Sequence, residues 1–390
     1  MAYFDNRKKR EKVQGSACNQ DKAMLVRAFH ASLPGYKPTR LQDMQALARH
    51  LGLGSIRIKD EDSRFGLHAF KSLGGLWCAA RCLQEKLGLP SPLTYEAIQA
   101  VPEQVRADMT FATATDGNHG RGVAFAARMF GTKAVVFMPS GSAEDRVENI
   151  RREGARVCVT DMDYDATVRL AAEEAEKNGW MLMQDTTDRE EDRVCGTIME
   201  GYLTLGAEIL EEMDKTPTHI FLQAGVGTMA AALCAFFRSC CGEEPVISVV
   251  EAEAADCLYQ TARHGDGRMY RTEGNMQTMM AGLCCGEPCC MAQRMLEKQA
   301  DFYLTSGDDA SRLGMRTLAA PMEGDPVIIS GESGAVTTGL LVKIMQEEHL
   351  QDLRMALGLN EESRVLLIST EGATDRENYK KITEGTGIRI

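Results

Sequence analysis

Four short segments of this chain carry residue types that could do chemistry together. His68-Ala69-Phe70-Lys71-Ser72-Leu73-Gly74-Gly75 offers the amine of Lys71. Thr115-Asp116-Gly117-Asn118-His119-Gly120 offers a glycine turn carrying a carboxylate and an amide. Gln223-Ala224-Gly225-Val226-Gly227-Thr228 is a glycine loop, and Ser369-Thr370-Glu371-Gly372 brings hydroxyls. An amine, a ring neighbour, an anion cradle and a hydroxyl for a ring nitrogen are together the means of holding a flat, phosphorylated aromatic aldehyde.

Lys71 sits at the N-terminal edge of a helical pattern that runs from Ser72 through Trp77 and Ala80 to Leu83. The positive end of a helix repels a cation, and partial desolvation adds to that, so an ammonium placed there has a lowered pKa and a more nucleophilic amine. Taken alone, Lys71 reads as a surface lysine with its stem along the core. Phe111 to Gly120 reads as a strand, a glycine turn and a helix start, with Gly117 and Gly120 allowing close approach to a ring and Asn118 able to donate to a ring oxygen. Asp116 has the form of an N-cap or turn residue as well, and His119 reads as a packing or capping histidine. Gly225-Val226-Gly227-Thr228-Met229 joins the apolar run Ile220-Phe221-Leu222 to an alanine-rich helix, aiming backbone N–H groups and a helix N-terminus at a phosphate. Ala230 stands where a dinucleotide fingerprint needs its third glycine, so one phosphate monoester fits better than a pyrophosphate.

Over nearly its whole length the chain resembles the tryptophan-synthase-like (fold type II) family of pyridoxal-phosphate enzymes. The resemblance lies in the lysine motif at Lys71, the Gly-Asn-His-Gly motif at 117–120 and the phosphate loop Gly225, Val226, Gly227, Thr228 and Met229. It implies pyridoxal 5′-phosphate as cofactor, Lys71 as the Schiff-base lysine and Asn118 beside the 3′-oxygen of the ring. The hydroxyl partner of the pyridine nitrogen falls at Thr370, with Ser369 the second choice. The implied fold is α/β: two doubly wound, mostly parallel open sheets flanked by helices, with the cofactor in a cleft between a large and a small domain.

In the serine and threonine dehydratases of that family a serine precedes the Gly-Asn-His motif, and here that place holds Asp116. A carboxylate there can take a proton from Cα or hold an ammonium at Cβ. A second carboxylate, Asp185, follows the strand-like Trp180-Met181-Leu182, where a solvated loop aspartate is the commoner outcome. Asp116 with Asp185 is similar to the branch of the family that eliminates ammonia from 2,3-diaminopropionate, giving pyruvate and two ammonia. By that analogy Asp116 serves the D form and Asp185 the L form, with Lys71 a participant. The alternative is a serine or threonine dehydratase using the same cofactor. Some relatives bind a cation after a strand; the matching stretch, Glu251 to Cys257, keeps Glu251 but puts Asp256 one place off, so acids at a helix start are expected there and no metal.

Short apolar, β-branched runs alternate with longer helical patterns. Ala134–Met138, Arg156–Val159, His219–Leu222, Val246–Val250, Val327–Ile329 and Val365–Ile368 read as strands apolar on both faces, as parallel strands covered by helices are. Ala143–Glu153, Asp165–Asn178 and Met229–Arg238 read as helices, the first two ending at Gly154 and Gly179. This alternation predicts a βα-repeating architecture. Leu89-Pro90-Ser91-Pro92-Leu93 is a candidate connection, dividing the chain into a large domain, 1–89 with 218–390, and a small one, 90–217.

The 390 residues carry a formal net charge of −12, which argues against a nucleic-acid or membrane-surface role. Met1 to Val13 has no apolar stretch of the kind an export signal needs, and Lys8, Lys9, Arg10 and Lys12 read as a solvated tail. The 13 cysteines lack the spacing of a disulfide scaffold, so they are expected as reduced, mostly buried thiols. The cluster Cys284-Cys285-Gly286-Glu287-Pro288-Cys289-Cys290 offers free thiols or a local disulfide in preference to a zinc site. A bridge from Cys257 to Cys284 or Cys285 is a further option that the sequence alone does not establish. A cytoplasmic enzyme, homodimeric by family and by symmetry statistics and acting on a small amino acid, is the expectation.

Overall fold

The computed structural model describes residues 1–11, 17–115, 117–274 and 276–384. Among the described residues eleven strands form two sheets. The larger is built from β1 (Tyr3–Asp5), β2 (Leu41–Asp43), β3 (Ser55–Asp60), β8 (His219–Gln223), β9 (Val246–Ala252), β10 (Phe302–Ser306) and β11 (Arg364–Ser369), in the order β1-β10-β9-β8-β11-β3-β2. The smaller holds β4 (Thr110–Ala114), β5 (Lys133–Met138), β6 (Arg156–Val159) and β7 (Met181–Leu182), in the order β6-β5-β4-β7. All pairings in the small sheet are parallel. In the large sheet only the edge strands β1 and β2 run antiparallel to their neighbours. Every residue of β8 is buried, which is why its sequence reads as a continuous apolar run instead of an alternating one.

Parallel strands all deliver their C-terminal ends to the same edge of a sheet, and ligands of open α/β sheets lie outside that edge. Here the 224–229 loop leaves β8, Thr370 leaves β11, the 117–120 turn leaves β4 and Asp185 follows β7. Segments far apart in sequence therefore converge by topology alone.

Two sequence expectations need correction. Val327–Ile329 is extended but belongs to no strand: Ile328 is buried and donates to the Leu318 carbonyl, while Val327 and Ile329 face outward. It links two helices, Asp308–Ala319 and Glu332–Gln346, and a β-branched triplet has the same composition in either role. The basic N-terminal segment is not a free tail. Tyr3–Asp5 adds an edge strand to β10, Lys9 Nζ donates to the Ala262 carbonyl at 3.2 Å, and Arg10 pairs with Asp301 at 3.1 Å and with Glu243. Lys12 lies outside the described residues.

One apolar core runs without interruption from the helices over the small sheet, through the helix Lys71–Leu87, to one face of the large sheet; a second fills the other face. At its centre Lys71–Leu87 crosses the helix Asn118–Phe130 glycine to glycine. A Cβ on Gly75 would lie 2.9 Å from the Gly122 carbonyl carbon, and one on Gly122 would lie 3.1 Å from the Lys71 carbonyl oxygen. Only bare backbone allows this approach, and it fixes Lys71 against the start of the second helix. Among the described residues no helix is long and apolar enough to cross a membrane.

Candidate active site

Lys71 opens the helix Lys71–Leu87 directly after a strained segment. Phe65 and His68 adopt φ of 49° and 60°, a left-handed conformation that non-glycine residues avoid, at about 1–3 kcal/mol each. The surroundings hold them there. Upstream, Arg64 is fully buried and donates to Glu61 at 2.8 Å, to both oxygens of Glu208 at 2.8 and 2.7 Å and to Thr39 at 3.0 Å, while buried Lys59 pairs with Glu208 at 2.8 Å. Two cations and two carboxylates thus neutralise one another away from water. Downstream, the Phe70 N–H donates to the Thr370 carbonyl and the Gly372 N–H to the His68 carbonyl, with Ala69 bridged to Glu371. The lysine segment and the hydroxyl segment are therefore one piece of backbone.

The Lys71 ammonium donates to Asp185 Oδ2 at 2.7 Å. Asp185 is buried, with its side chain 2% exposed, and not the solvated loop residue its position suggested. It is held by its neighbours: the Met183 N–H donates to the Ala112 carbonyl at 2.7 Å, and the Gln184 amide brackets the Ala114 backbone. Burial pushes the Asp185 carboxyl up, but the charges of His119 and Lys71 and the hydrogen bond from Lys71 outweigh it and hold the pKa down at about 2. His119 is more than a packing residue: its Nε2 lies 2.9 Å from the Met183 carbonyl and its Nδ1 lies 3.6 Å from Asp185 Oδ2. A carbonyl only accepts, so Nε2 carries a hydrogen and Nδ1 is the atom turned to the carboxylate.

Lys71, Asn118, Asp185, Gly225, Val226, Gly227, Thr228, Met229 and Thr370 all line one cleft of about 640 Å³, mouth included. Asp116 lies outside the described residues. Sequence reasoning gave no cleft role to several other walls. Glu371 and Tyr164 line it, as do Gly282, Leu283 and Cys285, the last singled out only as a thiol, from the segment before the helix Cys290–Gln299. Glu371 had a signal in its adjacency to Thr370; Tyr164, the first residue of a helix on the small sheet, had none.

The residues present fit pyridoxal phosphate. The helix Thr228–Cys241 starts at Gly227, at φ 99° and with no side-chain cap, leaving its first N–H groups for an anion. A Cβ on Gly225 would meet the Gly282 carbonyl oxygen at 2.9 Å and Cys285 Sγ at 3.0 Å, so only glycine keeps the loop open. Thr370 Oγ1 accepts from Gln223 Nε2 at 3.3 Å, which leaves its own O–H to donate to a pyridine nitrogen. Ser369 is turned away, bonded to Ser330 at 2.8 Å. Asn118 Nδ2 donates to Glu371 Oε2 at 2.7 Å, and the second amide hydrogen remains for a ring oxygen. Glu251 accepts from the Leu258 and Tyr259 N–H groups at 2.8 and 2.6 Å and so caps the helix Cys257–His264. Cys289 meets Cys195 sulfur to sulfur at 3.6 Å.

Comparison with known proteins gives the same picture. The family description "pyridoxal-phosphate dependent enzyme" matches residues 32–371. The chain is 45% identical over 366 residues to a diaminopropionate ammonia-lyase of Salmonella typhimurium, covering 92% of this chain and 90% of that one. The crystal structure of the Escherichia coli diaminopropionate ammonia-lyase in complex with D-serine superposes with a TM-score of 0.92 at 41% identity, covering 99% of this chain and 97% of that one. The same enzyme in complex with an aminoacrylate-PLP azomethine reaction intermediate superposes with a TM-score of 0.90 at 41% identity and the same coverage.

Proposed function

We infer, from the premise that this chain belongs to the pyridoxal-phosphate-dependent enzyme family and within it to the diaminopropionate ammonia-lyases, that it eliminates ammonia from 2,3-diaminopropionate. It is a carbon–nitrogen lyase, and one molecule of substrate with one of water gives pyruvate and two of ammonia. The observation that carries this reading is the Lys71–Asp185 contact at 2.7 Å, in a cleft that also holds an uncapped helix start and the Thr370 hydroxyl.

Bound there, pyridoxal phosphate supplies the electron withdrawal that makes the Cα proton of the substrate acidic. The site residues take the following roles. Lys71 holds the cofactor covalently, the backbone of 225–229 holds its phosphate, Thr370 donates to its ring nitrogen and Asn118 to its ring oxygen. A neutral hydroxyl at the ring nitrogen leaves that nitrogen unprotonated, which favours prompt loss of the Cβ group. Asp185, ionised and anchored beside Lys71, takes the Cα proton of the L form. Asp116 is assigned that of the D form; the D-serine held by the Escherichia coli relative supports a cleft that admits this configuration. Ammonia departs from Cβ, and the enamine left behind hydrolyses in water to pyruvate and the second ammonia.

The division into a large domain, 1–89 with 218–390, and a small one, 90–217, is supported by the sheets: β4–β7 all lie inside the small range and the other seven strands outside it. The protein works in the cytoplasm as a homodimer; Met24 and Leu25, 45% and 49% exposed side by side on the helix Gln20–Ser32, are apolar surface that a second copy would cover. The test is to incubate the purified holoenzyme with D- and L-2,3-diaminopropionate and with L-serine, and follow pyruvate in a coupled assay. Faster turnover of both diaminopropionate enantiomers than of serine is expected. Turnover of serine alone would make the protein a dehydratase.

A further inference from the structure

Buried carboxylates need a partner, because taking an uncompensated charge out of water costs several kcal/mol. Most among the described residues have one. Asp185 has Lys71, Glu61 and Glu208 have Arg64, Glu153 has Arg121 and Arg128, and Asp301 has Arg238, each within 3.4 Å. Glu251 is committed to a helix start. Glu332 accepts from Asn378 at 2.6 Å and does not line the cleft. Glu371 is different. It is 6% exposed and forms no ion pair with any described residue, yet it lines both the cleft that holds Lys71 and Asp185 and the adjoining one that holds Gly117 and Arg146.

Its two oxygens are fixed. Oε2 accepts from Asn118 Nδ2 at 2.7 Å and Oε1 from the Ser333 N–H at 3.0 Å. These donors orient the carboxylate without neutralising it. Burial pushes its pKa up, the charge of Glu332 adds to that, and Arg146 and the two hydrogen bonds only partly oppose it. A rigid, under-compensated carboxylate facing a substrate cleft is complementary to an incoming cation. Building on the elimination reading above, the α-amine of the substrate is taken up by the cofactor. The cation left over is then the β-ammonium, the group that serine replaces with a neutral hydroxyl.

We propose that Glu371 is the residue that recognises the substrate's β-ammonium and so selects diamino acids over hydroxy amino acids. The carboxylate holds the β-nitrogen in its protonated form, the only form in which it leaves readily, and no bond to Glu371 is made or broken. Asn118 couples this recognition to the cofactor ring, because one amide group spans Glu371 and the ring oxygen.

The experiment uses the holoenzyme and two variants, Glu371→Gln, which removes the charge at nearly constant shape, and Glu371→Asp, which keeps it one methylene further back. Calorimetry measures the binding of 2,4-diaminobutyrate and of norvaline, an isosteric pair differing in a terminal ammonium against a methyl and having no leaving group on Cβ. Kinetics measures kcat/KM for 2,3-diaminopropionate relative to serine. We expect the wild type to bind the cationic ligand preferentially, Glu371→Gln to lose that preference about ten-fold or more, and Glu371→Asp to keep part of it. The diaminopropionate-to-serine ratio falls in parallel, through KM more than kcat. Equal preference in wild type and Glu371→Gln overturns the proposal, as does a loss of cofactor absorbance in both variants with the ratio unchanged, which would make Glu371 only a support for Asn118. The binding arm does not depend on turnover. A wild type that prefers the cationic ligand but releases no pyruvate from diaminopropionate would remove the reaction assigned above while upholding the recognition site.

Discussion

Replacing Asp185 by asparagine keeps the shape of the side chain and removes its charge. In the structure that charge is met by Lys71 Nζ at 2.7 Å and faced by His119 Nδ1 at 3.6 Å, with 2% of the side chain exposed. Its pKa of about 2, against 3.8 for an ordinary aspartate, corresponds to roughly 2 kcal/mol of stability in the protein whose Lys71 is an ammonium. Because the folded value is the lower one, this contribution is present above pH 3.8 and is lost as pH falls toward 2. The asparagine variant should therefore be less stable near neutrality, with a shallower acid limb. The effect on catalysis is larger. Removing a positioned general base costs about 10²–10⁴ in rate, roughly 3–5 kcal/mol of barrier. We expect kcat/KM for L-diaminopropionate to fall by that factor, while turnover of the D form, which the proposal assigns to Asp116, changes by less than about ten-fold. The coupled pyruvate assay with each enantiomer reads this directly. Equal losses for the two enantiomers would refute the division of labour and leave Asp185 as a partner for Lys71 alone.

Three further outcomes follow from the same geometry. His119→Phe removes the imidazole that helps hold the Asp185 pKa down, so the acid limb of the kcat/KM profile for L-diaminopropionate should move to higher pH, with the D profile as the internal control. Glu208→Gln leaves Arg64 with Glu61 and buried Lys59 with only the half-exposed Glu212 at 3.8 Å; we expect about 3–5 kcal/mol of destabilisation in denaturant titration. The double replacement Arg64→Met with Glu208→Met, which leaves Lys59 and Glu61 balanced, should cost less than the single change. Gly122→Ala places a methyl 3.1 Å from the Lys71 carbonyl oxygen and the Ser72 Cα, so the two helices must part; a loss of about 1–3 kcal/mol and a larger proportional loss of activity are expected. Undiminished turnover in that variant would show that the helix crossing does not set the position of Lys71.

The local chemistry was written in the sequence. Lys71 and Thr370 were singled out by the family resemblance, whereas the glycine turn before Asn118 and the 225–229 loop were legible because strand-to-helix turns have glycine signatures and buried parallel strands are apolar on both faces. β5, β8, β9 and β11 were visible for the same reason, whereas β6, read as covered on both faces, is an edge strand with no buried residue. The edge strands β1 and β2 were not: each has three residues, and its conformation is set by the neighbour it pairs with. Val327–Ile329 failed in the opposite sense, a strand-like composition with no partner beside it.

Only the tertiary structure decided which charges meet. Nothing in the spacing of Lys59, Glu61, Arg64 and Glu208, or of Lys71, His119 and Asp185, announces that they neutralise one another. Apart from the local Glu61–Arg64 pair, those contacts join segments distant in sequence, and Lys59–Glu208, Arg64–Glu208 and Lys71–Asp185 each span over a hundred residues. Burial then fixes the state of each group, because a carboxylate out of water is governed by the cations near it. The sequence therefore determined which groups the cleft would contain, and the fold determined that Asp185 has its counter-ion in Lys71 while Glu371 lacks one among the described residues.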